Sequence, residues 1–309
     1  MTHLHNARIP MPLESVEEVP CKSLINRVYG NNLPFRWTIN PYRGCQHACV
    51  YCFARGTHEF LGYDGGRQFD TRIIVKINAP EVLREELKRP NWRREIIALG
   101  TACDPYEPAE RRYEVTRRIV EALRDAANPV SITTKSVLVK RDIDILQELA
   151  QIAKVRVNFS VGSLDDRVWQ KTEPGTPRPI RRLEAMQALV EAGIPAGVLM
   201  APIIPVLSDS KESMETVVKA AAEHKAQFLG ANVLHLKPGS KEWFMPFLRE
   251  AHPHLLPEYH RLYRGAYAPR QYTEQVMAKI DELRDRWGLH DRGALLQGPQ
   301  KGQLALALA

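Results

Sequence analysis

The chain has 309 residues, of which 44% are hydrophobic and 26% are charged, as in an ordinary globular protein. This composition excludes a disordered, collagen-like or disulfide-scaffold chain, and no apolar run reaches the ~20 residues needed to cross a bilayer. Lys and Arg outnumber Asp and Glu by 43 to 36, and the resulting net charge of +7 keeps nucleic acid open as a partner. Because residues 1–14 lack a signal-peptide pattern, we expect a cytoplasmic protein with no membrane partner.

Apolar β-branched runs alternate with amphipathic stretches, a pattern that predicts βα units around a parallel sheet. After an N-terminal lead (1–34), the main strands are predicted at Phe35–Ile39, Glu95–Gly100, Val130–Thr134, Val155–Val161, Val198–Ile204 and Gln227–Leu234, with an accessory strand at Arg72–Val75. The predicted helices lie at Pro80–Lys88, Ala109–Ala126, Arg141–Ala153, Arg178–Ala192 and Lys211–His224.

These units are about six in number, short of the eight of a full TIM barrel. We therefore predict an α/β fold with a partial (β/α)6 barrel as the core domain over residues 35–240. The remainder, 241–309, is predicted to be a helical C-terminal extension and tail, with a Tyr- and Arg-rich stretch at Tyr259–Arg270, a helix at Tyr272–Trp287 and weak signals over Gly298–Ala309.

Three of the five cysteines, Cys45, Cys49 and Cys52, lie within eight residues on a loop after the first predicted strand. In a reducing compartment this spacing indicates metal binding and not disulfides. Three thiolates can each bind one iron of a [4Fe-4S] cubane, which leaves the fourth iron open to a substrate or cofactor. The alternatives are a structural zinc site, a ferredoxin-type cluster with a fourth cysteine, and simple packing. His47 is interpreted as a solvated loop residue and not as a ligand.

The Cys-x3-Cys-x2-Cys loop, with Tyr51 directly before its last cysteine, resembles the signature of radical S-adenosylmethionine (SAM) enzymes. The resemblance runs from near residue 20 to near residue 240 and is to the spore photoproduct lyase-like branch. The segments that carry it are Asn40–Arg55, Thr101–Glu110, Thr134–Ser136 and Glu173–Pro177.

This resemblance implies a reduced [4Fe-4S] cluster on the three cysteines, whose open iron binds the amino and carboxylate groups of SAM. An electron from a reductant such as flavodoxin or ferredoxin would then give methionine and a 5′-deoxyadenosyl radical, which abstracts hydrogen from a substrate. The SAM-contacting positions that it carries over are Tyr51, Thr101, Lys135 and Ser160. All four lie at or just beyond predicted strand ends, where βα barrels place their active sites. Judged without the resemblance, Lys135 would be a solvated lysine and Ser160 a cap.

Cys103 is a candidate hydrogen donor, because members of this branch use a cysteine in the same segment. Counted back from Asp104, however, that cysteine falls on Thr101, so the role does not transfer to Cys103. Cys103 and Cys21 are equally well explained as small buried apolar residues.

Tyr106 is the second catalytic candidate, and it lies between two acidic residues, Asp104 and Glu110. This polar group can orient SAM or position substrate. Alternatively, Glu110 caps the predicted helix that starts at Ala109.

Arginines cluster at 93–94, 111–112, 117–118 and 178–182 and, interleaved with tyrosines, within 259–270. Such clusters are typical of phosphate contacts and base stacking, although helix-face arginines more often pair with acids such as Glu110, Glu114 and Glu184. A DNA or RNA substrate, for example a DNA lesion, therefore stays open. Two rival hypotheses are an electron-transfer protein in which Cys103 or Cys21 is a fourth cluster ligand, and a nucleic-acid-binding module with a structural metal.

Overall fold

A computed structural model describes residues 12–29 and 35–291. Its strands are β1 (Ser15–Val19), β2 (Asn26–Arg27), β3 (Trp37–Ile39), β4 (Tyr42–Arg43), β5 (Arg72–Lys76), β6 (Ile97–Leu99), β7 (Val130–Thr134), β8 (Val155–Ser160), β9 (Ala196–Ile203), β10 (Phe228–Val233) and β11 (His290–Asp291). The helices are α1 (Gly56–Glu59), α2 (Arg67–Thr71), α3 (Ala79–Leu87), α4 (Glu110–Tyr113), α5 (Val115–Asp125), α6 (Ile143–Ile152), α7 (Asp166–Thr172), α8 (Pro179–Glu191), α9 (Lys211–Glu223), α10 (Ser240–Ala251), α11 (Leu256–Leu262) and α12 (Arg270–Trp287). Short 3-10 helices lie at Phe53–Arg55, Val137–Asp142 and Pro253–Leu255.

The main sheet has eight strands in the order β11-β10-β9-β8-β7-β6-β3-β2. From β3 to β10 each strand runs parallel to the next, with helices in the crossovers, and only β2 is antiparallel to its neighbour. These six parallel strands are the six that the sequence predicts. In the described part of the chain, β2 and β11 at the two edges do not pair with each other. The predicted partial (β/α)6 barrel is therefore confirmed.

A second sheet carries the segment that leads into the cysteines. Its order is β1-β5-β4, with β1 parallel and β4 antiparallel to β5. The predicted accessory strand is β5, whereas β1 and β4 were not predicted, because β4 has only two residues and β1 is acidic and half-buried. This sheet fixes the chain between the end of β3 and the first cysteine.

The two faces of the main sheet differ in polarity. Val130, Ile132 and Val157 are fully buried beneath the surrounding helices. On the other face, Asn158 donates from Nδ2 to the Ile132 carbonyl at 2.6 Å and to Ser131 Oγ at 3.2 Å. Since side chains alternate along a strand, the apolar residues hold the helices while the polar ones line the concave side of the partial barrel.

The predicted helix over Ala109–Ala126 is wrong, because it is two helices that meet at Glu114, whose φ is 50°. The Glu110 carboxylate accepts from the backbone N–H of Thr116 at 2.8 Å and of Arg117 at 3.2 Å. It therefore caps α5, and not the helix to which it belongs. The break follows from this buried side chain and not from helix propensity.

The C-terminal third adds helices to the edge of the barrel. The helix predicted at Tyr272–Trp287 is α12, which begins two residues earlier and contacts α9 and β10. β11 extends the main sheet beside β10, and α10 was not predicted. Residues 298–309 lie outside the described residues. No helix in the described ranges has the length and apolar character to span a bilayer.

Candidate functional site

The cysteine loop, Cys45–Cys52, begins above the carboxyl end of β3. Asn40 follows β3, and its Oδ1 accepts from the backbone N–H of Thr101 at 3.1 Å and of Ala102 at 2.8 Å, which ties β3 to the end of β6. Gly44 has a φ of 77°, and a Cβ there would lie 2.5 Å from the Arg72 carbonyl oxygen, so only glycine fits. The loop is thereby held at the end of the barrel where βα proteins place their active sites.

The three thiols of this loop are free and close to one another. Cys45 and Cys49 are buried and Cys52 is half-buried. Burial raises the pKa of each thiol, to about 12 for Cys49, and the negative charges of Asp104 near Cys45 and of Glu173 near Cys49 add to the effect. Such thiols keep their protons until a cation replaces them.

The donor set fits a [4Fe-4S] cluster better than a single metal ion. Within residues 12–29 and 35–291, no group of three His, Cys, Asp or Glu side chains converges as the ligands of one ion would. A cubane does not require convergence, because each thiolate binds a different iron. Three thiols without a fourth ligand on the same loop match a cluster with one open iron.

Lys135 is not the solvated lysine that its position alone suggests. It is half-buried after β7, and its Nζ lies 5.6 Å from the centroid of the Tyr51 ring. Burial alone would lower the pKa of Lys135, but attraction to Cys49 and Glu173 outweighs it and the pKa is raised. A charged ammonium therefore faces the cysteine loop.

Glu173 and Arg182 form a buried ion pair beneath Tyr51. Arg182 Nη2 lies 2.5 Å from Glu173 Oε2, and Glu173 Oε1 accepts the hydrogen bond of the Tyr51 hydroxyl. Arg182 also donates to the carbonyls of Pro177 and Ser160, each at 2.9 Å. The phosphate-contact interpretation of this arginine is wrong, because its side chain is fully buried.

The signal for Arg182 is present in the sequence. In α8 it lies four residues before Met186 and seven before Leu189, both fully buried, so helical spacing places it on the apolar face. An arginine on such a face requires a buried acid. Glu173, nine residues before Arg182, is that acid.

His47 is buried and not solvated, contrary to the expectation from its loop position. Its Nδ1 lies 3.3 Å from Asp104 Oδ2. Asp104 also accepts from Thr134 Oγ1 at 2.6 Å and from the Lys135 backbone N–H at 2.7 Å. Although burial would raise the pKa of Asp104, these partners lower it to about 2. Asp104 thus links the cysteine loop to the segment that presents Lys135.

Arg55 is a second charged residue that supports the cysteine loop. Arg55 is fully buried, donates to the Cys49 carbonyl from Nη2 at 2.9 Å, and pairs with Asp70 at 2.8 Å. It lies three residues after Cys52, and its sequence neighbours gave no signal of burial. A guanidinium with a fixed fork of donors can brace a loop in this way.

Thr101 and Ser160 lie at the ends of β6 and β8. Thr101 Oγ1 contacts Thr38 Oγ1, and Ser160 Oγ donates to the Ala201 carbonyl at 2.9 Å. Ser160 is not a cap, since its hydroxyl bonds the neighbouring strand and not a helix N-terminus. The structure brings Tyr51, Lys135 and Ser160 together around Glu173 and Arg182, and Asn40 anchors Thr101 separately.

The surroundings of Cys103 and Cys21 fit their interpretation as small apolar packing residues. Cys103 belongs to the main hydrophobic core, and Cys21, half-buried, packs against that core. Burial raises the pKa of the Cys103 thiol. Tyr106 is also buried, and burial together with the Asp142 carboxylate raises the pKa of its phenol.

Most of the clustered arginines are neutralised by nearby acids. Arg117 pairs with Asp144 at 2.7 Å, Arg181 pairs with Glu184 at 2.9 Å, and Arg178 pairs with Asp166. In the part of the chain that the structure describes, the clustered arginines at 93, 94, 111, 112 and 264 are exposed and have no carboxylate partner. The clusters therefore leave only some of their arginines free to meet a polyanion.

Two cavities border the cysteine loop from different sides. The first is narrow and is lined by Tyr51, Gly162, Ser163, Val168, Trp169, Thr172, Glu173, Pro202, Ile204 and Ser208. The second is a cleft of about 330 Å³ lined by His47, Tyr106, Pro108, Arg111, Ser136, Pro174, Gly175, Thr176 and Pro177. They share no lining residue.

Comparison with known proteins agrees with this geometry. The family model described as the Radical SAM superfamily matches residues 39–221. An uncharacterized protein of Mycobacterium tuberculosis is 44% identical over 268 residues, 86% of this chain and 79% of that protein. An uncharacterized protein of Methanocaldococcus jannaschii is 28% identical over 245 residues, 79% of this chain and 86% of that protein.

Solved structures of spore photoproduct lyase have the same fold. A mutant of that enzyme superposes with a TM-score of 0.67 at 16% identity, covering 88% of this chain and 79% of that one. A second mutant, with bound AdoMet and dinucleoside spore photoproduct, gives a TM-score of 0.67 at 15% identity, with 88% and 78% covered.

Proposed function

The chain belongs to the radical SAM superfamily, whose members use a [4Fe-4S] cluster and SAM, and we propose that Cys45, Cys49 and Cys52 hold that cluster. The cluster and SAM, when bound, supply a 5′-deoxyadenosyl radical for hydrogen abstraction from a substrate. The donor set supports this assignment, since three free thiols share one buried loop at the active end of the barrel. We place the reaction in the cytoplasm, with an external one-electron reductant.

The methionine carboxylate of SAM is assigned to Lys135. The observation that carries the proposal is the position of this lysine, whose Nζ lies 5.6 Å from the centroid of the Tyr51 ring in the cysteine loop and whose ammonium is attracted by Glu173. The raised pKa keeps that ammonium protonated at neutral pH, as binding a carboxylate requires. Asp104 holds the Lys135 backbone, which makes Asp104 a positioning residue.

The adenine of SAM is assigned to the side of the cysteine loop beside Tyr51. The cavity there has a free volume of about 10 Å³, room for one water, so its walls, which include Trp169, Pro202 and Ile204, would have to move apart to admit the ring. A Cβ on Gly162 would lie 2.6 Å from the Pro202 carbonyl oxygen, so glycine lets two strand ends approach closely there. Thr101 and Ser160 are proposed to contact SAM from the neighbouring strand ends.

A DNA lesion is a candidate for the substrate. It is supported by the fold shared with spore photoproduct lyase, one structure of which is complexed with a dinucleoside spore photoproduct. The paired arginines give it no further support. An anaerobic assay for reversal of a thymine photoproduct tests it, and SAM cleavage without any lesion turnover would reject it.

Anaerobic reconstitution of the full chain tests the proposed function. We expect about four irons per chain, no zinc, and an EPR spectrum of the reduced cluster that changes when SAM is added. An electron-transfer protein would instead show a spectrum that SAM leaves unchanged and would lose its cluster on Cys103→Ala. Zinc in place of iron would favour the structural-metal hypothesis.

A further inference from the structure

We propose that the cleft over His47 is the docking surface for the electron donor of the cluster, an acidic redox protein of the flavodoxin or ferredoxin kind. The inference rests on the proposed function, because it places the cluster on the cysteine loop. It adds the location and the charge of the surface that receives the electron.

The cleft reaches the cysteine loop itself. His47 lies two residues from Cys45 and from Cys49, and it lines the cleft. Gly175 donates its backbone N–H to the His47 carbonyl at 3.1 Å, and a Cβ on it would lie 2.0 Å from the Gln46 carbonyl oxygen. The floor of the cleft is thus packed directly on the loop. Since electron transfer slows steeply with distance, a donor seated here has a short path.

The cleft is separate from the cavity assigned to SAM. The segment 172–177 contributes Thr172 and Glu173 to the narrow cavity and Pro174 to Pro177 to the cleft, so it forms the wall between them. A donor in the cleft and SAM in the cavity therefore approach the cysteine loop from different sides. The donor does not have to leave before SAM binds.

The rim of the cleft is formed on one side by two neighbouring arginines of α4. Arg111 lines the cleft, and Arg112 is the next residue in α4 but is not a lining residue. Both are exposed without a carboxylate partner in the described residues. The acids of the same segment are engaged elsewhere, since Glu110 is buried against Arg141 and Glu114 lies 3.6 Å from Arg141. An unneutralised basic rim attracts an acidic partner and speeds its association.

The test compares two double charge reversals in the full chain. Arg111→Glu with Arg112→Glu reverses the charge of the rim. Arg93→Glu with Arg94→Glu is the matched control, because these exposed arginines precede β6 and so lie at the opposite end of the strands from the cysteine loop. The first measurement is the Kd of oxidised flavodoxin by calorimetry. The second is the rate at which reduced flavodoxin bleaches the visible absorption of the cluster, at low and high ionic strength.

We expect the rim variant to bind flavodoxin about tenfold more weakly and to be reduced about tenfold more slowly at low salt. The Kd and the reduction rate of the control should stay within about twofold of the wild-type values. Added salt should reduce the difference between the rim variant and the wild type. The yield of 5′-deoxyadenosine with excess dithionite should be unchanged in both variants, because that small reductant needs no docking.

Equal losses in the two variants would overturn the proposal, since the effect would then come from overall charge. It would also be overturned if the rim variant kept its affinity for flavodoxin and lost affinity for an oligonucleotide, which would make the rim a nucleic-acid surface. If the wild type forms no 5′-deoxyadenosine with dithionite, the proposed function fails. The comparison of the flavodoxin Kd values still decides whether the rim docks a donor.

Discussion

Replacing Arg182 by methionine should destabilise the protein because it leaves a buried carboxylate without its cation. The side chain of Arg182 is 0% exposed and that of Glu173 is 8% exposed. Removing one partner of a buried ion pair costs about 3–5 kcal/mol, whereas methionine retains much of the apolar contact. That loss is a large share of the ~5–15 kcal/mol by which a domain is stable.

Arg182→Met should also weaken the support of the cysteine loop. Although burial alone would raise the pKa of Glu173, the charges of Arg182 and Lys135 lower it, and Arg182→Met removes the first of these. The segment 172–177 also loses two bonds to the guanidinium, at the Pro177 carbonyl and at Thr176 Oγ1. This segment packs on the cysteine loop, so we expect reduced cluster retention during reconstitution.

Urea unfolding followed by circular dichroism measures the change in stability. The control is Arg181→Met, because that neighbouring arginine is 67% exposed and pairs with Glu184 on the same helix, a contact worth less than about 1 kcal/mol. The double variant Glu173→Gln with Arg182→Met should lose less than the sum of the two single variants, because they remove one interaction. Similar losses for Arg181→Met and Arg182→Met would refute the reasoning.

Three further predictions concern single side chains. Lys135→Met should weaken SAM binding by about 1.5–3 kcal/mol in calorimetry at equal iron content, with exposed Lys140→Met as the control, and an unchanged Kd would reject the carboxylate assignment. Glu110→Gln should lower the free energy of unfolding by about 1–3 kcal/mol, because Glu110 caps α5 and binds Arg141, whereas Glu114→Gln should change it by less than about 1 kcal/mol. Burial raises the pKa of Glu107 from 4.5 to about 8, so ionisation of Glu107 opposes folding as pH rises between these values. Urea unfolding at pH 5 and 8.5 should show that the stability of Glu107→Gln relative to the wild type is about 3–5 kcal/mol greater at pH 8.5 than at pH 5. The same stability difference at both pH values would contradict this.

The sequence predicts the six main strands because each lies in a mainly apolar run between loop or helix signals, and their order in the parallel sheet follows their order in the chain. It also predicts the cysteine loop as a unit, since Cys45, Cys49 and Cys52 are neighbours in the chain. The break at Glu114 was missed because a side-chain cap, and not a helix-breaking residue, produces it.

The contacts around the cysteines could not be predicted in the same way. His47 meets Asp104, and Tyr51 meets Glu173, only because the folded barrel brings the ends of different strands together. The local composition around His47 predicts a solvated side chain. The burial of Arg182, in contrast, is indicated by its helical spacing from Met186 and Leu189. Residues that are far apart in sequence thus decide how the site is held, while residues close in sequence decide what it can bind.

The central claim is that Cys45, Cys49 and Cys52 hold the cluster that cleaves SAM. Its most direct test is the amount of 5′-deoxyadenosine formed from SAM and dithionite by the anaerobically reconstituted protein and by the variant with all three cysteines changed to alanine. The wild type should form 5′-deoxyadenosine and the variant none, with Cys103→Ala retaining its cluster as the control. Equal amounts from the wild type and the triple variant would contradict the claim.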